Sequence, residues 1–280
     1  MKSQIYFLSL MGLCLFTSCT QQEWYKKEFS EETMKTYASQ LRSGAFYSNY
    51  QGTVAEQMHQ KEALSMDSTN AALWRELGTA RVKRGILDEM EYYYAEAVKR
   101  HPEKWAGFRG YLYLYFYRNF PKAIADFNLG DEVNGQVDYS QGQSHDYMRG
   151  ICYYGLKDYQ AANEALSKYI DKVTQEEGEE WVDVYAILYK GLTLMKLDRI
   201  NDAITEFDRA LKYYPNLSDC FYHKARIYVI RGQFDLALMQ LDLAEKHFKK
   251  GYFHQRPYVE VLEQIYLQDI QDLRSQISTI

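Results

Sequence analysis

Six histidines and four cysteines are the side chains of this sequence best suited to hold a metal or to attack a substrate. His247 and His254 stand seven apart with Lys249 and Lys250 between them, and no His-Glu-x-x-His occurs, so their spacing offers no zinc site. Cys14, Cys19, Cys152 and Cys220 form no Cys-x-x-Cys, and the last two read as buried, inert thiols. Gly-x-Ser-x-Gly is absent, as are the phosphate-cradling Gly-x4-Gly-Lys-Ser/Thr and the dinucleotide-binding Gly-x-Gly-x-x-Gly. Glu176-Glu177-Gly178-Glu179-Glu180 lacks the alternating ligand spacing of a calcium loop and reads as a solvated turn. Among 38 Asp and Glu, no motif selects the facing pair that glycoside hydrolysis needs. We therefore expect no catalytic residue, no metal and no cofactor; an enzyme would require an acid or His cluster assembled only by the fold. The chemistry the sequence does carry is aromatic. It has 27 Tyr, and the run Tyr111-Leu112-Tyr113-Leu114-Tyr115-Phe116-Tyr117 is apolar or aromatic on every face of a helix. Tyrosine gives a large, rigid contact with a polar tip, which is the chemistry of binding.

The elements that position these rings are helices. Only 4 Pro in 280 residues favours long uninterrupted helices, because an interior Pro removes a backbone donor and clashes with the preceding turn. With 46% hydrophobic and 25% charged residues the chain is expected to fold. The formal charge is −5, or −6 without residues 1–18, which contain Lys2 and no acid. Basic and acidic residues are interspersed, so there is no basic stripe and nucleic acid is not expected as a partner. At the N-terminus, Lys2 precedes an apolar run from Ile5 to Phe16, of signal-peptide length and too short to span a bilayer. The run ends in Leu15-Phe16-Thr17-Ser18-Cys19, which resembles a bacterial lipobox, with Phe16 where Leu is usual. That resemblance implies cleavage after Ser18, lipidation of Cys19, and a membrane anchor whose buried methylenes contribute about 0.8 kcal/mol each.

Internal repetition is the strongest signal. Gly191 and Ala225, Ala203 and Ala237, and Ala210 and Ala244 are each 34 residues apart. From Ala71 to Lys104, Trp74, Leu77, Gly78, Gly85, Tyr94 and Ala97, followed by Pro102, repeat the same small-large-small rhythm. In this spacing and these residue types the chain resembles the tetratricopeptide repeat (TPR) family, whose repeat is 34 residues. Small residues at the eighth and twentieth places let the two helices of a unit cross closely, and each unit buries its apolar face only against its neighbours. The expected fold is therefore all-α: a right-handed α-solenoid of about five to six helix pairs with a C-terminal capping helix. The expected organisation is a signal peptide over 1–18, a lipidated Cys and tether over 19–30, and a helix pair over 31–70. Repeats follow at 71–104, 105–142 (degenerate, one residue short at its turn, with a polar loop), 143–183 (with an acidic loop), 184–217 and 218–251. A capping helix over 252–280 is opened by Pro257 and carries Leu262, Ile265, Tyr266, Ile270, Leu273 and Ile277 on one face.

The resemblance also implies a binding groove lined by the first helix of each unit. Transferring the family's groove places gives Arg75, Lys83, Tyr147, Tyr154, Tyr185, Lys196, Tyr222 and Arg226 as candidate ligand-binding residues. The family's Lys and Asn clamp for a terminal carboxylate is replaced by Arg75 and Thr79. The layout resembles bacterial repeat lipoproteins. It implies an envelope scaffold, on the outer membrane and facing periplasm or surface, that holds a protein or peptide partner. The alternative is capture of a glycan, since tyrosine faces also stack on sugar rings.

Overall fold

The computed structural model describes residues 30–48 and 50–278. The signal-like segment, Cys19 and the tether up to residue 29 lie outside the described residues. The chain divides into two compact units, Met1–His101 and Pro102–Ile280. Thirteen α-helices are present among the described residues, and neighbours in sequence pack as pairs.

In the N-terminal unit the helices are α1 (Glu31–Ser48), α2 (Val54–Met66), α3 (Ala71–Lys83) and α4 (Leu87–Arg100). Their starts follow from capping chemistry: Thr53 and Asn70 place side-chain oxygens on the backbone N–H of Glu56 and Ala72. Pairs α1–α2 and α3–α4 pack directly. At their closest crossing, a Cβ on Gly78 would stand 2.6 Å from the buried ring of Tyr94.

The C-terminal unit holds α5 (Pro102–Leu112), a π-helical turn (Tyr113–Tyr117) and α6 (Phe120–Asn134). A two-residue hairpin follows, β1 (Tyr139–Ser140) and β2 (Gln143–Ser144). Then come α7 (His145–Gly155), α8 (Tyr159–Glu176), α9 (Val184–Lys196), α10 (Ile200–Tyr213), α11 (Ser218–Ile230), α12 (Phe234–Phe248) and α13 (Leu267–Ser278). The pairs are α5–α6, α7–α8, α9–α10 and α11–α12. Gly150 and Gly191 make the same close approach as Gly78: an added Cβ would lie 2.5 Å from Leu166 and 2.6 Å from Phe207. The turn between the helices of a pair is conformationally fixed, with the fifteenth place left-handed in every regular repeat: Gly85 (φ 70°), Lys157 (64°), Asp198 (59°) and Gly232 (69°).

Three expectations need correction. The repeat that opens with α5 is one residue long, not short: Gly110 and Ala123 are 13 apart, where Gly150 and Ala162, and Gly191 and Ala203, are 12 apart. The π-helical turn absorbs the extra residue, the usual outcome of a one-residue insertion in a helix, and Arg118 (φ 51°) then takes the left-handed turn position. The polar segment over 128–146 and the acidic segment over 171–180, expected as loops or loosened helix ends, are in part helix ends, since α6 runs to Asn134 and α8 to Glu176, but the first also holds the hairpin β1–β2. The last helix begins at Leu267 and not at Pro257. Leu262, Ile265 and Tyr266 precede it, while Ile270 and Ile277 are buried in it against α11 and α12.

Candidate functional site

Residues 252–266, between α12 and α13, form no helix. They run as a strap across the first helices of the C-terminal unit, the face on which the groove was expected. The strap is tied at its start by backbone: Ser218 N donates to Tyr252 O (2.8 Å), and His254 N to Asp219 Oδ2 (2.9 Å). The His254 imidazole lies flat on Tyr185 with centroids 4.0 Å apart and meets Tyr189 edge-on at 5.7 Å. The Arg256 guanidinium lies over Tyr115 at 4.1 Å and Tyr111 at 5.4 Å. Its Nη1 and Nη2 donate to Gln143 Oε1 (3.2 and 3.0 Å), which also accepts from Tyr115 Oη (2.9 Å). At Pro257-Tyr258 the strap turns back, with an Arg256–Val259 bridge and Tyr258 at φ 70°. On the return, Val259 and Leu262 pack on the core, and Tyr189 Oη donates to Leu262 O (2.9 Å). Glu263 then accepts from Tyr154 Oη (2.7 Å) and faces Lys196 (3.6 Å) and Arg226 (3.8 Å).

The sequence-predicted residues divide accordingly. Tyr154, Tyr185, Lys196 and Arg226 converge on the strap. Tyr222 is half-buried beside Arg226 (6.0 Å from guanidinium to ring) and packs on the cluster that seats α13. Tyr147 is wholly buried, its ring stacked on Tyr169 at 5.6 Å, and its hydroxyl has no hydrogen-bond partner among the described residues. Arg75 and Lys83 belong to the N-terminal unit, where Arg75 pairs with Glu76 (2.9 Å). There Gln51 bridges Glu76 (2.9 Å) and Lys83 (2.7 Å).

Burial sets the electrostatics of the groove. It pushes the Asp219 carboxyl up to about 6, against the lowering effect of the His254 N–H. It pushes His254 down to about 3, reinforced by the Arg256 charge. Tyr185 is pushed up to about 12, and Tyr147, Tyr154 and Tyr189 lie well above the usual phenol range, all chiefly by burial. The phenols are therefore donors at neutral pH, and the groove can offer hydroxyls, aromatic faces and the Lys196 and Arg226 cations.

A second polar cluster went unnoticed in the sequence. His145, fully buried, has Nδ1 2.6 Å from Asp131 and Nε2 3.0 Å from Ser140 Oγ. Arg149 donates to Asp131 and Asp146 at 2.6 Å each. The order Ser–His–Asp has the connectivity of a hydrolytic triad, yet α5 closes it: a Cβ on Gly107 would stand 2.3 Å from both Ser140 Oγ and His145 Nε2. With the α5 backbone this close there is no room for a substrate carbonyl at the hydroxyl, so the cluster ties β1–β2 and α7 to α5 and α6. No group of three or more metal-ligating side chains occurs among the described residues. Nor is any described helix long and apolar enough to cross a membrane.

Sequence profiles of the tetratricopeptide repeat match residues 146–173 and 189–251. No curated protein matches the chain in sequence. Among solved structures, PilF of Pseudomonas aeruginosa aligns with TM-score 0.58 at 13% identity, over 88% of this chain and 99% of its own. A tetratricopeptide repeat protein of Parabacteroides merdae aligns with TM-score 0.57 at 19% identity, over 87% and 99%. YrrB, described as a TPR protein with an unusual peptide-binding site, aligns with TM-score 0.50 at 17% identity, over 67% and 91%. At such identities the likeness is one of fold: all-α, in the tetratricopeptide solenoid class.

Proposed function

Because the chain is a tetratricopeptide repeat protein, we propose that it is a scaffold without chemistry of its own, holding an extended segment of a partner protein in the groove of its C-terminal unit. One observation carries this reading: the groove already holds a non-helical stretch of polypeptide, residues 252–266, through aromatic faces, phenol hydroxyls and two cations. That is the chemistry by which peptides are recognised along their length. The peptide-binding site named for YrrB, a structural neighbour, agrees with it. The finer reading is that Cys19 carries lipid and holds the scaffold on the bacterial envelope, on the outer membrane and facing periplasm or surface.

Both halves are testable in one preparation. Partners retained from detergent-solubilised envelope are compared between wild type and a Tyr185→Ala, Arg226→Glu variant whose helix content is checked by circular dichroism. The reading expects specific proteins to disappear from the variant's list, and identical lists would refute the groove. Cys19→Ala is expected to move the protein from the membrane to the soluble fraction; persistence in the membrane would refute lipid anchoring.

A further inference from the structure

The strap satisfies its groove incompletely. The Tyr147 hydroxyl, on a side chain with no exposed surface, has no hydrogen-bond partner among the described residues, although the Asp183 carboxyl and the Arg256 guanidinium are near enough to act on it. Two non-glycine strap residues, Tyr258 and Glu263, take the left-handed conformation (φ 70° and 55°), which is unfavourable for a residue with a side chain. Glu263 is the residue that meets Tyr154, Lys196 and Arg226, so the strap is strained where it makes its ionic contact. Against these defects stands its tethering at both ends, to α12 and to α13. A tethered segment acts at millimolar effective concentration and can fill a site for which its intrinsic affinity is modest.

We infer that residues 252–266 are a built-in stand-in for the partner. The groove's external ligand is an extended peptide that sets a guanidinium on Tyr111, Tyr115 and Gln143 and a carboxylate on Tyr154, Lys196 and Arg226, and it binds by displacing the strap. A separate peptide, free of the two tethers, can place both charges without left-handed residues and can offer an acceptor to Tyr147. This rests on the scaffold reading above and adds the ligand's chemistry and the gate it must open.

The probe is a fluorescent synthetic peptide of residues 252–266, titrated into full-length protein and followed by anisotropy. An Arg256→Ala, Glu263→Ala variant loosens the strap in place. It is expected to bind the peptide at least tenfold more tightly than wild type does, and a peptide lacking the same Arg and Glu is expected to bind neither protein measurably. Equal binding by wild type and variant would overturn the inference. Should the variant melt early, wild type alone decides: excess peptide is expected to accelerate hydrogen exchange at the His254 amide, and an unchanged rate would overturn the displacement. Envelope partners retained equally by wild type and variant would overturn the gate and leave the scaffold reading standing. Peptide binding to the variant with no difference in the Tyr185→Ala, Arg226→Glu pull-down would support the gate and refute the scaffold reading.

Discussion

Arg75 and Lys83 in the N-terminal unit, and Lys196 and Arg226 in the C-terminal unit, occupy the same kind of place on the first helices of their repeats, yet they are satisfied in different ways. Arg75 closes on the adjacent Glu76, and Lys83 on Gln51 from the loop before α2. Lys196 and Arg226 close on Glu263, as does Tyr154 from 109 residues away. Removing the strap would leave the first network intact and strip the second of its anion, its imidazole and its guanidinium. The repeat thus supplies a geometry, and what that geometry serves depends on which segment returns to it. In the C-terminal unit the polar ends of the groove are arranged for an occupant that runs across several repeats.

Perturbations should separate the two regions in order of how deeply the strap's contacts are buried. The largest effect is expected at Asp219, whose carboxyl is raised from 3.8 to about 6 by burial under the strap. A carboxyl raised in the fold contributes its full stability below the unfolded pKa and loses it as pH rises through about 6. At about 1.4 kcal/mol per pKa unit, the shift is an upper bound of about 3 kcal/mol. Asp219→Asn keeps an oxygen for the His254 N–H. Its stability relative to wild type should therefore be greatest at pH 7 and fall by up to about 3 kcal/mol towards pH 4, measured by denaturant melts at both pH values. A pH-independent difference would contradict the burial of this group. Next is Glu263→Ala, which removes the acceptor of the Tyr154 hydroxyl. Hydrogen bonds to charged groups contribute about 1.5–3 kcal/mol, and partial exposure of Glu263 points to the lower end, about 1.5 kcal/mol, in the same melts. Tyr147→Phe deletes an unpaired buried hydroxyl and should stabilise by about 1 kcal/mol; destabilisation would mean that the hydroxyl is satisfied. Lys83→Ala, exposed and held locally, should change stability by no more than about 0.5 kcal/mol. A larger loss would erase the contrast between the units.

The period of 34 was legible because it records packing that is local: Gly150 over Leu166 and Gly191 over Phe207 are contacts within one helix pair. The turn at the fifteenth place was legible only where Gly marked it, since Lys157 and Asp198 take the same left-handed geometry with side chains that do not advertise it. The inserted residue before Arg118 was misread because Tyr111 to Tyr117 is apolar on every face, so no register stands out from the pattern. The strap was misread for a related reason. Leu262, Ile265 and Tyr266 share a helical stripe with Ile270 and Leu273, and Pro257 is a favourable helix start. Yet Val259 and Leu262 pack on the core of the repeats, and Ile265 is buried without being helical. Local periodicity cannot reveal that the partners of Arg256 lie in α5, the π-helical turn and β2, and those of Glu263 in α7, α9 and α11. The groove residues Tyr154, Tyr185, Lys196 and Arg226 were reached through the repeat register; the His145 cluster was not, because Asp131, Ser140 and His145 come together only when the hairpin folds back onto α5.

The strap's place in the groove is most directly read from one side chain. In a selectively labelled sample, the His254 ring resonances can be followed by NMR from pH 4 to pH 8. Stacked on Tyr185 and buried, His254 should show ring-current-shifted signals, a nuclear Overhauser contact to the Tyr185 ring, and no titration in that range, its pKa being pushed down to about 3. Signals at unperturbed positions that titrate near 6.5 would place the imidazole in solvent and the strap outside the groove.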